Sequence, residues 1–273
     1  MALFPFSFMQ SQTPAYVGLL DLYPNAAAAY SVRLLRNAYT GSAIRVRRSS
    51  DNAEQDIGFI NGNLDTTSLT SFCGAGNGFV TTWYDQSGNG YNATQSTAAN
   101  QPQIVSSGSI NTLNGKPVLN FDGNNDFLRS VFGTTLTTNL TYIASFKLLS
   151  LPNAFKNIYG NASDLVTTYL TNGNFWNLYN GLILISGVLA QTIPYLNFTV
   201  FKTASAELFM NNVSLVSGTM PTPSTNNLDI ANATGASSRQ TNMSYWELVL
   251  YNADQTSNRS GIQTNVNTYY GIY

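Results

Sequence analysis

Proton transfer and charge stabilisation in these 273 residues must rest on thirteen carboxylates, because the sequence contains no histidine. That absence removes the commonest general base at neutral pH and the commonest ligand for transition metals. Cys73 is the only cysteine, which excludes an intrachain disulfide and any thiol metal site. Within Phe72-Cys73-Gly74 it reads as a small buried apolar residue. The acids are thinly spread: between positions 130 and 246 only Asp164, Glu207 and Asp229 occur. Asp85 precedes Ser87-Gly88-Asn89-Gly90 and is expected to cap that turn through backbone N–H groups. Asp122, Asn124 and Asp126 offer the oxygen ligands Ca²⁺ prefers. The same residues are ordinary turn formers, and the turn is the preferred reading. No other cofactor is implied, and residue type alone assigns no catalytic group.

Two further sets of side chains could bind. Trp83, Tyr84, Tyr91, Tyr159, Trp176, Tyr179, Tyr245 and Trp246 lie near expected loop ends, where rings could stack on sugar faces while Asn and Thr reach hydroxyls. Most of them are expected in the core, since aromatics carry much of the packing. Arg33, Arg36, Arg45, Arg47 and Arg48 are five of the twelve basic residues, and Asp51, Glu54 and Asp56 follow at once. They read as a salt-bridged structural element rather than a polyanion site. The net charge of −1 gives no electrostatic reason to bind nucleic acid or an acidic membrane face.

The elements that must position these groups are mostly strands. Charged residues make up only 9% of the chain against 43% apolar, which leaves an uncharged, hydrogen-bonding exterior over an ample core. From Phe79 onward, short runs such as Phe79–Asp85, Leu140–Leu149, Val166–Leu170, Phe175–Tyr179, Asn197–Thr203 and Ser244–Tyr251 are separated by Asn-Gly, Asp-Gly and Ser-Gly turns. Many short strands at near-regular spacing predict a β-sandwich. Ahead of them, Asn25 is placed to cap a helix over Ala26–Ala38, Ile44 and Val46 alternate with Arg45 and Arg47 as in a strand, and Thr66–Cys73 is a short helix closed by Gly74. At the other end Ile262, Val266 and Tyr269 recur at helical spacing, with Gly261 costing something like 1 kcal/mol against Ala. Residues 1–15 form an arm in which Leu3, Phe4, Phe6 and Phe8 precede Pro14. It does not read as a signal peptide or membrane span and is expected to attach to a neighbouring protein. Residues 16–273 are read as one domain. The Asn-x-Ser/Thr triplets are read as unglycosylated.

Four segments carry a resemblance. Gly78-Phe79-Val80-Thr81-Thr82-Trp83-Tyr84-Asp85-Gln86-Ser87-Gly88-Asn89-Gly90 is similar to a stretch of α-L-arabinofuranosidase B, whose catalytic domain is a concanavalin A-like sandwich. The same stretch, preceded by a block like Ala43 to Phe59 with its Arg-Arg-Ser-Ser-Asp-Asn, resembles bacteriophage virion and tail-associated proteins. Glu207 to Val216 is similar to a strand-turn-strand hairpin of laminin G-like domains, with Asn212 where Gly is usual. Tyr251 to Tyr270 resembles the closing strand and helix of the phage proteins. The implied fold is mainly β: a concanavalin A-like (laminin G-like) antiparallel jelly-roll sandwich with an N-terminal and a C-terminal helix.

The resemblance implies two functions. In the arabinofuranosidases two carboxyl groups in the second half of the sandwich flank the sugar, as retaining hydrolysis requires. The matching segments here, Asn174–Gly181 and Asp229–Gly235, supply amides and a single acid, Asp229. Glu247 with Asp85 is the remaining pair. The expectation is therefore a non-enzymatic phage virion structural protein, a head-decoration, fibre or tail-associated domain on the particle surface. It would be multicopy or homo-oligomeric, attached to other virion proteins through Leu3, Phe4, Phe6 and Phe8. It would bind host surface glycans through Trp176, Asn177 and Tyr179, which fall where the enzymes hold substrate. The alternative is an α-L-arabinofuranosidase-like glycoside hydrolase.

Overall fold

The computed structural model describes residues 16–151, 154–161, 166–232 and 239–273. The expected attachment residues Leu3, Phe4, Phe6 and Phe8 lie outside them. The fold is mainly β, and every strand pairing among the described residues is antiparallel. The strand Asn242–Tyr251 is a hub. It pairs with Ala28–Ser31 and Leu119–Asp122 on one side and with Leu140–Leu148 on the other, and the sheet continues through Pro194–Lys202 and Ser205–Met210 to Val213–Gly218. A second run of strands leads from Gly78–Trp83 through Ala93–Thr94, Leu128–Thr137, Ser224–Ile230, Lys156–Gly160, Thr167–Leu170 and Phe175–Tyr179 to Ile183–Leu189.

The two runs pack face to face through aromatics. Tyr142 stacks on Tyr159 with ring centroids 4.5 Å apart, Phe146 meets Trp176 edge-on, and Tyr245 meets Trp83 edge-on. Offset and edge-to-face geometries are those the ring quadrupoles favour. Polar groups inside are satisfied in pairs: the Tyr159 hydroxyl donates to Asn197 Oδ1 at 2.9 Å and lies 2.7 Å from Thr168 Oγ1. Trp176, which the sequence offered as an exposed sugar platform, belongs to this core at 1% exposure. Strand alternation turns it inward together with Leu178.

The helix expected over Ala26–Ala38 does not form. Asn25 has φ +66°, which no helix N-cap adopts, and Ala28–Ser31 is a fully buried strand paired with Leu250–Glu247. Helix propensity of an alanine run is a weak preference that a neighbouring strand edge overrides. The short helix at this end is Leu19–Leu22 instead. Thr66–Cys73 is helical, with Asp65 accepting from Ser68 N at 3.0 Å and Gly74 closing it at φ +56°. Arg259–Tyr270 is a helix that buries Ile262, Gln263, Val266 and Tyr270.

Two sequence blocks act locally. Arg45 pairs with Glu54 at 2.6 Å and Asp56 at 3.4 Å, and Arg48 with Asp51 at 2.6 Å, across the hairpin of Ile44–Arg48 and Glu54–Ile57. In the Asp85-Gln86-Ser87-Gly88-Asn89-Gly90 turn, Asp85 accepts from the backbone N–H groups of Ala29, Ser87 and Tyr91 at 2.8–3.0 Å. Asn89 Nδ2 donates to the carbonyls of Ala26 and Ala27. The motif therefore ties the strand at 78–83 to the strand at 28–31. Its acid is fully occupied as a cap.

Candidate functional site

The outer face of the second run of strands carries the strongest candidate. Alternation sends Leu228 and Ile230 into the core and Asp229 to the opposite face. Asp229 opposes Arg129 on one neighbour and Gly160 on the other. Gly160 follows Tyr159, the partner of Thr168, which brings it level with Thr167; Thr167 opposes Tyr179, and Tyr179 opposes Ile183. One cross-strand row therefore reads Arg129, Asp229, Gly160, Thr167, Tyr179, Ile183. Gly160 brings no side chain to it.

Thr167, Tyr179 and Ile183 line a cavity of about 260 Å³ with Phe155, Tyr169 and Arg239. Phe155 stacks on Tyr169 at 6.2 Å and 26°, and the Arg239 guanidinium lies 5.6 Å from the Phe155 ring. Flat aromatic faces beside a few polar groups are what a sugar ring meets in a binding cleft. At the ~4.8 Å spacing of neighbouring strands, Asp229 stands about 10 Å along the row from Thr167. Arg129 grips its carboxylate bidentately, Nε to Oδ1 at 2.6 Å and Nη2 to Oδ2 at 2.7 Å. Those hydrogen bonds hold the Arg129 guanidinium above its ordinary range. The Asp229 side chain is fully buried, while that of Arg129 is one-third exposed.

Of the residues expected to bind glycan, Tyr179 reaches the cavity. Trp176 is in the core, and Asn177, on the cavity side of its strand, is buried with its Nδ2 donating to Phe175 O at 2.7 Å. Glu247 and Asp85 do not form a catalytic pair. Glu247 accepts from Arg33 Nε at 2.8 Å, Arg33 Nη2 at 3.1 Å and Ser31 Oγ at 2.9 Å, all buried. Tyr270 stacks beside this ion pair on Trp246. Asp164 lies outside the described residues, and Glu207 bonds Ser214 on the other run of strands.

At the Asp122–Asp126 turn, Asp122 Oδ1 accepts from the backbone N–H groups of Asn124, Asn125 and Asp126, and Asp126 Oδ2 accepts from Asp122 N at 3.0 Å. Asn124 Nδ2 donates to Asp122 Oδ2. These oxygens serve the turn's own amides. Among the described residues no group of three or more His, Cys, Asp or Glu is placed to hold a metal.

Comparison with known proteins bears on the fold that carries this face. The family model for the catalytic domain of α-L-arabinofuranosidase B matches residues 21–128. The probable α-L-arabinofuranosidase B of Aspergillus flavus is 34% identical over 110 residues, covering 37% of this chain and 22% of the relative. The chain thus spans about a fifth of that relative's length. A GH54 α-L-arabinofuranosidase soaked with a cyclic sulfate inhibitor superposes with a TM-score of 0.71 at 18% identity, covering 93% of this chain and 66% of that one. A mutant of a GH54 enzyme soaked with 4-nitrophenyl α-L-arabinofuranoside gives 0.72 over the same shares at 18% identity. The likeness in structure establishes a shared fold.

These matches overturn the expectation of a non-enzymatic phage virion protein. Virion partners, a particle-surface location and a structural role fall with it. The misjudgement has a physical origin. The Tyr84–Gly90 turn is a structural lock in this fold, and residues spent on a turn do not distinguish an enzyme from a structural protein.

Proposed function

We propose that this chain is a glycoside hydrolase domain of the α-L-arabinofuranosidase kind, with a concanavalin A-like sandwich as its frame. The observation that carries this reading is the cross-strand row that sets the Asp229 carboxylate on the same face as the aromatic cavity. Tyr179, Tyr169 and Phe155 hold the sugar against the sheet, with Thr167 available to a hydroxyl. Asp229 supplies negative charge to the oxocarbenium-like transition state, and Arg129 sets the position of its two oxygens. Because Asp229 is covered, substrate contact requires the part-exposed Arg129 to swing aside. The reaction also needs a second carboxyl group as proton donor, and Asp164 is the acid nearest in sequence to the strand that bears Thr167.

The test is release of 4-nitrophenol from 4-nitrophenyl α-L-arabinofuranoside by the purified chain. Turnover is expected, and Asp229→Asn should lower it by at least about a hundredfold, the scale on which a positioned carboxyl contributes. Asp164→Asn should do the same if that acid is the donor, while Glu207→Gln should leave turnover unchanged. No turnover at any pH by folded protein that still binds arabinofuranosides would sink the hydrolase reading.

A further inference from the structure

A second cavity, of about 420 Å³, lies on a different part of the molecule and shares no lining residue with the first. Its wall includes Arg36, the Ser87-Gly88-Asn89 turn, Tyr91, Thr134 and Asn252. Arg36 stands apart from the other arginines of its cluster. Arg33, Arg45 and Arg48 are each paired with a carboxylate, and Arg47 donates to Gln101 and Asn52. Arg36 is in no ion pair with a described carboxylate. It donates from Nη1 to the Ser87 carbonyl at 3.1 Å, and its Nε is buried without an acceptor.

The turn is shaped to leave this guanidinium in place. Gly88 has φ +98°, and a Cβ there would stand 3.0 Å from Arg36 Nη2 and 3.3 Å from Nη1. A side chain at position 88 would therefore push the cation off the loop. The acids nearby are spent. Asp85 is saturated by the amides of Ala29, Ser87 and Tyr91, and Asp21 accepts from the N–H groups of Gly18 and Asn37. The rest of the wall is neutral, part polar with Asn25, Thr134 and Asn252 and part apolar with Leu20 and Leu136. A part-buried planar cation without an ion-pair partner, on the wall of an open cavity beside neutral hydrogen-bonding groups, suits an oxyanion.

We propose that this cavity is a second binding site, which takes an oxyanion on Arg36 and the neighbouring hydroxyls of its ligand on Asn252, Thr134 and Tyr91. The ligand class is an acidic sugar, with its carboxylate on the guanidinium. A phosphoryl group offers the same charge-assisted contact.

Isothermal titration of the whole chain with glucuronic acid, glucose and inorganic phosphate tests this. Glucuronate should bind at least about tenfold more tightly than glucose, and added salt should weaken it. Arg36→Gln should reduce glucuronate binding at least about tenfold, and Arg36→Lys should retain part of it. Because Arg36 also holds the turn, Asn252→Asp provides a variant that leaves its contacts alone. The added carboxylate should compete for the cation and abolish binding. Phosphate binding as tightly as glucuronate would support the oxyanion site and assign its charge to a phosphoryl source. Absence of binding by both anions, or binding unchanged in Arg36→Gln or Asn252→Asp, would overturn the site.

Discussion

Asp122 and Asp126 close one turn from its two ends, and their environments push them in opposite directions. Burial acts to raise the Asp122 carboxyl, but the amides of residues 124–126 outweigh it and hold the group below its ordinary range. Asp126 accepts a single backbone hydrogen bond, and burial together with the Asp122 charge pushes it up to about 7. The unfolded chain releases this proton near 3.8 while the folded chain keeps it to about 7, so stability falls as pH rises through that window. At roughly 1.4 kcal/mol per pH unit the loss is on the order of 4 kcal/mol between pH 4 and pH 7. Asp126→Asn, which preserves the acceptor for Asp122 N, should flatten that slope and raise Tm at pH 8. A parallel pH dependence in the variant would remove Asp126 as its source. Glu247 behaves differently. Glu247→Gln should cost about 3–5 kcal/mol in urea unfolding, because it leaves the Arg33 guanidinium buried beside an amide. Turnover per folded molecule should stay unchanged. Neither behaviour is legible in the sequence, because the Arg33 partner lies 214 positions away and the burial of Asp126 is a product of tertiary packing. What alternation did reveal is that Asp229 sits within a strand. Its alignment with Tyr179 depends on the register across Gly160, and no local pattern encodes that.

Among the elements, those fixed by local chemistry were readable. The Thr66–Cys73 helix between Asp65 and Gly74 is one, and the hairpin whose turn residues Asn211 and Asn212 have φ of 49° and 65° is another. The alanine-rich segment was misread because its partner is the far end of the chain. The C-terminal helix offers a sharper contest between local and tertiary effects. Propensity alone says that Gly261→Ala should stabilise it by about 1 kcal/mol. A Cβ at that position would come within 1.9 Å of the Tyr23 hydroxyl oxygen. Gly261→Ala should therefore destabilise, by roughly 1–3 kcal/mol as in other overpacked sites. Adding Tyr23→Phe should recover part of the loss. Urea midpoints for the two variants decide between the effects, and a stabilised single variant would mean that Tyr23 swings aside without cost.

For the molecule as a whole, the low charge content was the most legible property, and it was the easiest to overinterpret. A chain with 9% charged residues and a net charge of −1 fits a particle surface and a glycan-facing enzyme equally well. What it does dictate is weak electrostatics. Near pH 7 the protein should be retained poorly on both anion and cation exchangers, and arabinofuranoside binding should be nearly insensitive to salt, in contrast to the second cavity. Strong retention on either resin would point to a charge asymmetry that the described ion pairs do not leave.

The position of the hub strand Asn242–Tyr251 has a consequence for biogenesis. The segment that joins the first strand, the strand at 119–122 and the strand at 140–148 leaves the ribosome after all three of them. Until it emerges, Ala28–Ser31 has no strand partner, and Leu119–Asp122 and Leu140–Leu148 each lack one. Synthesis should therefore yield a chaperone-dependent nascent chain that becomes protease-resistant only once this strand has emerged.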